Sequence, residues 1–150
     1  MKECNYWIVR TTLDVYNECH LIKRVGANER TVNRLKKASV GDFGVFYIST
    51  SELHKSSETI SQFASAFIFT GKVDNVPINV ETLPADKSLE YSISIEFFGK
   101  GDKCNISNLI EKLDFIKKKN HWGSYLMQAF IKITKRDFQI ISENIEVKNC

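Results

Sequence analysis

Between Tyr91 and Phe97 the chain alternates without exception: Tyr91, Ile93, Ile95 and Phe97 fall on one side of an extended backbone, Ser92, Ser94 and Glu96 on the other. Side chains of a strand point to opposite faces with a period of two, so this run reads as a strand buried on one face and wet on the other. Such a strand belongs to a sheet. Further β-rich runs can complete it: Tyr6-Trp7-Ile8-Val9-Arg10, then Phe43 to Ser49 after a turn at Val40-Gly41-Asp42, then Ala64 to Val73, and last Leu126 to Ile133.

Helical signals separate these runs. Thr12 is placed to cap a helix whose apolar stripe is Val15, Cys19 and Ile22. A second helix is expected from Asn28, a good capping residue, to about Lys37, with Val32 and Leu35 facing inward. Ile106, Leu109, Ile110 and Leu113 have helical spacing, and Thr134 with Asp137 resembles a capping box opening a final helix that docks Phe138, Ile141 and Ile145. Residues 50–62 are too hydrophilic to form an element of their own and read as a flexible surface loop, and Gly99-Lys100-Gly101-Asp102 reads as a turn. About five to six strands broken by helices, without regular β-α-β-α order, predict an α+β fold in which a mixed, twisted sheet curls toward a barrel flanked by helices.

A chain of 150 residues fits a single domain spanning 1–150, and 43% hydrophobic with 26% charged residues is a globular balance that excludes global disorder. No apolar run approaches the roughly 18 to 20 residues that cross a bilayer, and the start is polar, so an intracellular, cytoplasmic protein without a membrane partner is expected. Cys4, Cys19, Cys104 and Cys150 are widely spread and form no C-x-x-C pair, which makes them ordinary thiols. His20, His54 and His121 lack metal-ligand spacing, so no metal and no cofactor are expected. No Gly-x-Ser-x-Gly, P-loop or Gly-x-Gly-x-x-Gly occurs, and no catalytic residue is assigned.

The formal net charge of +3 is unremarkable, but its distribution is uneven. Lys23, Arg24, Arg30, Arg34, Lys36 and Lys37 are opposed in their stretch only by Glu29. Arg30, Arg34 and Lys37 share one side of the second expected helix with Asn33, and Lys117-Lys118-Lys119 forms another cluster. A charge run is ordinarily a solvated face; two such runs in one small domain point to phosphate.

Three local patterns taken together resemble the EVE family. They are the Tyr6-Trp7 strand opening, the hinge Val40-Gly41-Asp42-Phe43-Gly44-Val45-Phe46-Tyr47, and the late segment from Leu113-Asp114-Phe115-Ile116 through Lys117-Lys118-Lys119 to Trp122-Gly123, followed by Ile133-Thr134-Lys135-Arg136-Asp137-Phe138. The resemblance covers the chain from Tyr6 to about Ile145. It implies a PUA-like fold related to YTH and ASCH modules, and recognition of a base, often a modified one, in DNA or RNA. One departure stands out: where many relatives carry Trp before Gly, this chain has Val25 before Gly26, so an aromatic wall of the implied pocket is missing.

A site that reads one unpaired base needs a flat surface for stacking and polar groups aimed at the base edge. Trp7, Tyr47 and Trp122 are the stacking candidates, although Trp and Tyr are more often packing residues. Arg10, Thr11, Thr12, Asn28 and Ser49 lie at strand ends or helix starts, where polar groups converge, with Gly26 beside them. The pocket is expected between the first and third strands. Arg30, Arg34, Lys37, Lys117, Lys118 and Lys119 are the expected phosphate contacts. Two alternatives stay open: a small hydrolase acting on a modified nucleoside or amide, as in ASCH-type relatives, and a protein-interaction adaptor.

Overall fold

The computed structural model describes residues 3–52, 58–98 and 103–146. The turn expected at 99–102, residues 53–57 of the expected loop with His54, and Cys150 lie outside them. In chain order the elements are β1 (Tyr6–Thr11), α1 (Leu13–Ile22), β2 (Arg24–Ala27), α2 (Val32–Leu35), β3 (Phe43–Thr50), β4 (Thr59–Phe69), β5 (Tyr91–Phe97), β6 (Lys103–Asn105), β7 (Phe130–Ile133) and α3 (Lys135–Glu146). The strands form one mixed sheet in the order β2-β5-β4-β3-β1-β7, with β6 also paired to β4. β1 and β3 run parallel from Tyr6↔Phe43 to Thr11↔Ile48, and the other pairings of the sheet are antiparallel.

The two middle strands read as near-continuous apolar runs because both of their faces are covered. On one face Trp7, Val9, Phe46 and Ile48 pack with Tyr16 and Cys19 of α1. On the other, Ile8, Val45 and Tyr47 pack with Phe138, Ile141 and Ile145 of α3. The pleat thus divides β1 and β3 between two cores, one beneath each helix.

The sheet curls at β4. Between Val45↔Ala66 and Phe46↔Ala64 the residue Ser65 is unpaired, and a second irregularity follows near Ser61. Both serines have left-handed backbones, φ 51° and 53°. A bulge of this kind bends its strand and increases the local twist. The strained conformation at Ser65 is held by a 2.5 Å hydrogen bond shared with the Tyr16 hydroxyl, which fastens α1 to the bend.

Close packing also explains Gly44. A Cβ there would lie 2.6 Å from Cε1 of Phe67, a ring with no exposure and no room to withdraw. Gly44→Ala is expected to destabilise the domain by about 2 to 3 kcal/mol through overpacking, read as a lower urea midpoint with an unchanged m-value.

Several elements differ from their sequence-based expectations. Arg24–Ala27 is a strand, and it pairs with β5. The helix expected from Asn28 to Lys37 is confined to Val32–Leu35, because Asn28 turns the chain instead: its Oδ1 accepts from the backbone N–H of Arg30 and of Thr31. The helical spacing of Ile106, Leu109, Ile110 and Leu113 belongs to two short 3₁₀ turns, 106–108 and 110–112. β4 begins at Thr59 and so takes up the end of the expected loop.

The capping box at Thr134 forms by half. Thr134 Oγ1 accepts from the Asp137 N–H, as expected, whereas the Asp137 carboxylate turns away to accept from the N–H groups of Asp114 (2.8 Å) and Phe115 (2.9 Å). That carboxylate is fully buried and ties the 106–118 segment to α3.

Candidate functional site

A cavity of about 270 Å³ opens at the carboxyl ends of the parallel pair β1 and β3. Val9 and Thr11 of β1 and Phe46 of β3 form its floor, and Val15 and Cys19 of α1 form one wall. Gly26 and Asn28, at the end of β2, form a second wall with Thr31. Leu83, Lys87 and Leu89 close the cavity from above, and Ala129 and Phe130 complete it beside β7. Parallel strands ending side by side, with a helix starting next to them, leave a natural crevice for a ligand.

The roof is brought in by the Ile78↔Leu89 bridge, which folds the 79–88 segment back over β2. It passes so near Gly26 that a Cβ there would lie 2.8 Å from Ile78 Cδ1 and 3.0 Å from Leu89 Cδ1. Glycine at this position therefore sets how low the roof can sit.

Hydrogen bonding inside the lining is largely internal. Ser49 donates to the Thr11 carbonyl (3.2 Å), Thr50 to the Glu52 carbonyl (2.9 Å) and Thr31 to Asn28 Oδ1 (3.2 Å). Thr12 donates to Asp14 Oδ1, and Thr82 donates to the other oxygen of that carboxylate. Each hydroxyl of Ser49, Thr50, Thr31 and Thr12 has spent its single hydrogen and keeps only lone pairs for a ligand. The donors that remain are the Asn28 amide NH₂ and the Lys87 ammonium.

The cavity thus gathers Arg10, Thr11, Gly26, Asn28 and Ser49 from the expected base-pocket set, together with Thr12. Arg10 lines the cavity near the end of β1. By alternation its side chain shares the face of Tyr47, and its positive charge, after the Ser61 hydrogen bond, offsets part of the upward push that burial gives the Tyr47 phenol.

The three stacking candidates are elsewhere. β1 and β3 do not splay apart to make a pocket; they are hydrogen-bonded neighbours throughout. Trp7 is buried in the α1-side core with its indole N–H donated to Asp42 Oδ2 at 3.1 Å, and Tyr47 is buried in the α3-side core. Trp122 is half-buried against that second core. The aromatic residues on the lining are Phe46 and Phe130 instead, and Val25 before Gly26 is a core residue.

Of the expected phosphate contacts, Arg30, Arg34 and Lys37 are exposed on the segment that follows Asn28. Lys117 and Lys118 are exposed on the other side of the chain's path, near the α3-side core, and Lys119 donates its ammonium to the Leu113 carbonyl at 2.7 Å. None of the six lines the cavity. Leu83, Lys87 and Leu89 escaped sequence reading, since nothing in the spacing of that segment announces that it returns over β2. Among the described residues no cluster of His, Cys, Asp and Glu is arranged to hold a metal. No helix of the described residues is long and apolar enough to cross a membrane.

Burial pushes the Cys19 thiol up to about 12. At pH 8 only about one molecule in ten thousand then carries the reactive thiolate. Iodoacetamide at that pH is expected to label exposed Cys4 within minutes and to leave Cys19 unmodified until the protein unfolds, as read by peptide mass spectrometry.

No family model matches this sequence, and no curated protein matches it. Solved structures do. The YTH domain of Zygosaccharomyces rouxii MRB1, in complex with N6-methyladenosine RNA, superposes with a TM-score of 0.69 at 7% identity over 97% of this chain and 89% of its own. The fold is PUA-like. Human THYN1, in complex with 5-methylcytosine-containing DNA, matches with a TM-score of 0.51 at 10% identity over 93% of this chain and 97% of its own. Protein Atu2648 from Agrobacterium tumefaciens matches with a TM-score of 0.56 at 11% identity over 98% and 97%. Identities this low make the likeness one of fold, and the PUA-like sheet is what this chain has in common with the YTH domain and with THYN1.

Proposed function

We propose that this chain is a non-catalytic module of the EVE type that binds a base, modified in its preferred form, in DNA or RNA. The observation that carries the reading is the cavity at the ends of β1 and β3: an apolar floor and roof with a few fixed polar groups, the composition of a small-ligand site. The fold adds to it, because solved relatives of the same architecture are complexes with N6-methyladenosine RNA and with 5-methylcytosine DNA.

In this reading the base enters edge-on between Phe130 and the Leu83–Leu89 roof. Asn28 and Lys87 donate to acceptor atoms of the base or its phosphate, while the lone pairs of Ser49 and Thr12 accept from an exocyclic amine. Gly26 keeps the roof low enough for contact with both faces. With neither Trp nor Tyr on the lining, selectivity rests on shape and on the fixed hydrogen-bonding groups more than on stacking.

The test is fluorescence anisotropy with single-stranded oligonucleotides that carry one N6-methyladenine, one 5-methylcytosine or the unmodified base, as DNA and as RNA. At least a tenfold preference for one modified member is expected. Equal affinity across the panel would remove the base-reading function and leave the fold.

A further inference from the structure

α2 begins beside Thr31 on the wall of the base cavity and ends beside Lys36, where a second hollow of about 530 Å³ lies. Its lining is Lys36, Ala38, Ser39, Val40, Lys72 and Val73, with no carboxylate among them. Lys36 comes from the end of α2 and Lys72 from the turn after β4, and both are exposed. Neither ammonium has a hydrogen-bond or ion-pair partner among the described residues.

The backbone around the hollow is fixed. Ser39 N–H donates to Asp42 Oδ2 at 2.9 Å, and Gly41 N–H donates to the Phe69 carbonyl at 2.9 Å, so the corner bearing Lys36 is tied to the end of the strand that leads to Lys72. Two like charges thus face one concavity without a counter-charge, an arrangement that an anion between them relieves. Besides Ser39 the remaining lining is apolar, made by Ala38, Val40 and Val73, and Val40 is 59% exposed. An inorganic anion has no use for such a floor; a phosphodiester, with a sugar on either side, covers it.

The hollow also neighbours the cavity along the chain: Asn28 and Thr31 line the one, Lys36 and residues 38–40 the other. The Asn28 turn and the single helical turn of α2, Val32–Leu35, are all that separates the two linings along the chain. Exposed Arg30, Arg34 and Lys37 stand along that path.

We propose that the hollow between Lys36 and Lys72 binds a backbone phosphate of the strand whose base enters the cavity. The identity of the strand rests on the base-binding reading above; the phosphate site itself does not. It gives the module a second contact with the strand, in which the cavity reads the base and the hollow holds the backbone.

The experiment uses fluorescein-labelled single-stranded 10-mers carrying one N6-methyladenine or one 5-methylcytosine, with their unmodified counterparts. They are titrated into wild type, the Lys36→Glu/Lys72→Glu double variant, and a Lys112→Glu/Lys135→Glu control with the same charge change at exposed positions elsewhere. The double variant is expected to bind every 10-mer roughly tenfold more weakly. The slope of log affinity against log salt should become shallower by about 0.7, the value for one phosphate of a single strand. The ratio between modified and unmodified 10-mers should not change, and the control should stay within about twofold of wild type.

An unaltered affinity and slope in the double variant would overturn the site, as would an equal loss in the control, which would reduce the effect to net charge. Absence of any 10-mer binding by wild type would overturn it as well. Equal binding of modified and unmodified 10-mers by wild type, combined with a tenfold loss in the double variant, would support the phosphate site while sinking the base-reading function.

Discussion

Asp42→Ala is expected to lower the stability of this domain by about 3 kcal/mol and its melting temperature by roughly 10 °C, the largest effect of a single side-chain truncation outside the apolar cores. The carboxylate is 3% exposed, yet it forms no ion pair among the described residues; it is held by hydrogen-bond donors instead. Oδ1 accepts from the Asn5 N–H at 3.0 Å, and Oδ2 accepts from the Ser39 N–H at 2.9 Å and from the Trp7 indole N–H at 3.1 Å. Truncation leaves three donors without partners at the place where the first strand, the α2 corner and β3 meet. A deserted donor costs about 1 to 3 kcal/mol when water cannot replace the lost acceptor. Asn5 and Ser39 are only half-buried, so water recovers part of their cost, while the Trp7 indole is enclosed. Asp42→Asn keeps the shape but offers one acceptor oxygen in place of two, and an intermediate loss is expected. Urea unfolding of the three proteins, followed by Trp fluorescence, checks the order; equal midpoints for wild type and Asp42→Ala would show that these bonds contribute nothing net.

The same aspartate illustrates what was legible beforehand. Gly41-Asp42 stood out as a turn before a strand and as part of the EVE resemblance, but the sequence does not reveal that the side chain reaches back to Trp7. β5 was the plainest element, because strict alternation has no competing helical reading; even so, Ser92 on its polar side is fully buried, accepting from Arg24 Nε at 2.6 Å and donating to the Val76 carbonyl at 2.6 Å. β2 was hidden because four residues give too short a pattern, and its partner β5 lies far along the chain. The 106–113 segment carries a helical spacing that 3₁₀ turns satisfy equally well over so few residues.

Of the residues expected at a base pocket, the candidate cavity gathers the polar ones. Thr11 and Ser49 lie at strand ends and Asn28 at an expected helix start, and the parallel pairing of β1 with β3 brings the two strand ends together. The expected stacking residues do not line this cavity. Size and chemistry mark Trp7 and Tyr47 as stacking surfaces, but in a sheet covered on both faces large rings are drawn into the cores, and the pleat sends Trp7 to one core and Tyr47 to the other. The roof was invisible for a different reason: it depends on a single isolated bridge between Ile78 and Leu89, a contact without a periodic signature.

Val15→Trp is expected to abolish selective binding while leaving the fold intact, weakening affinity for the preferred oligonucleotide by about a hundredfold, or roughly 3 kcal/mol. Val15 sits in the first turn of α1, half-buried on the cavity wall, so a larger side chain has open space before it and no core ring to displace. An indole there occupies the volume that the base would take. It also offers the floor an apolar partner, so thermal stability should stay within about 2 °C of wild type, a shift of less than 1 kcal/mol for a domain of this size. The proposed phosphate site is untouched by this change, so residual binding by Val15→Trp should keep its full salt dependence and lose its preference between modified and unmodified strands. The Lys36→Glu/Lys72→Glu variant should do the reverse. A Val15→Trp protein that melts normally and still discriminates between the two strands would move base recognition to some other surface, since no base fits beside an indole in about 270 Å³.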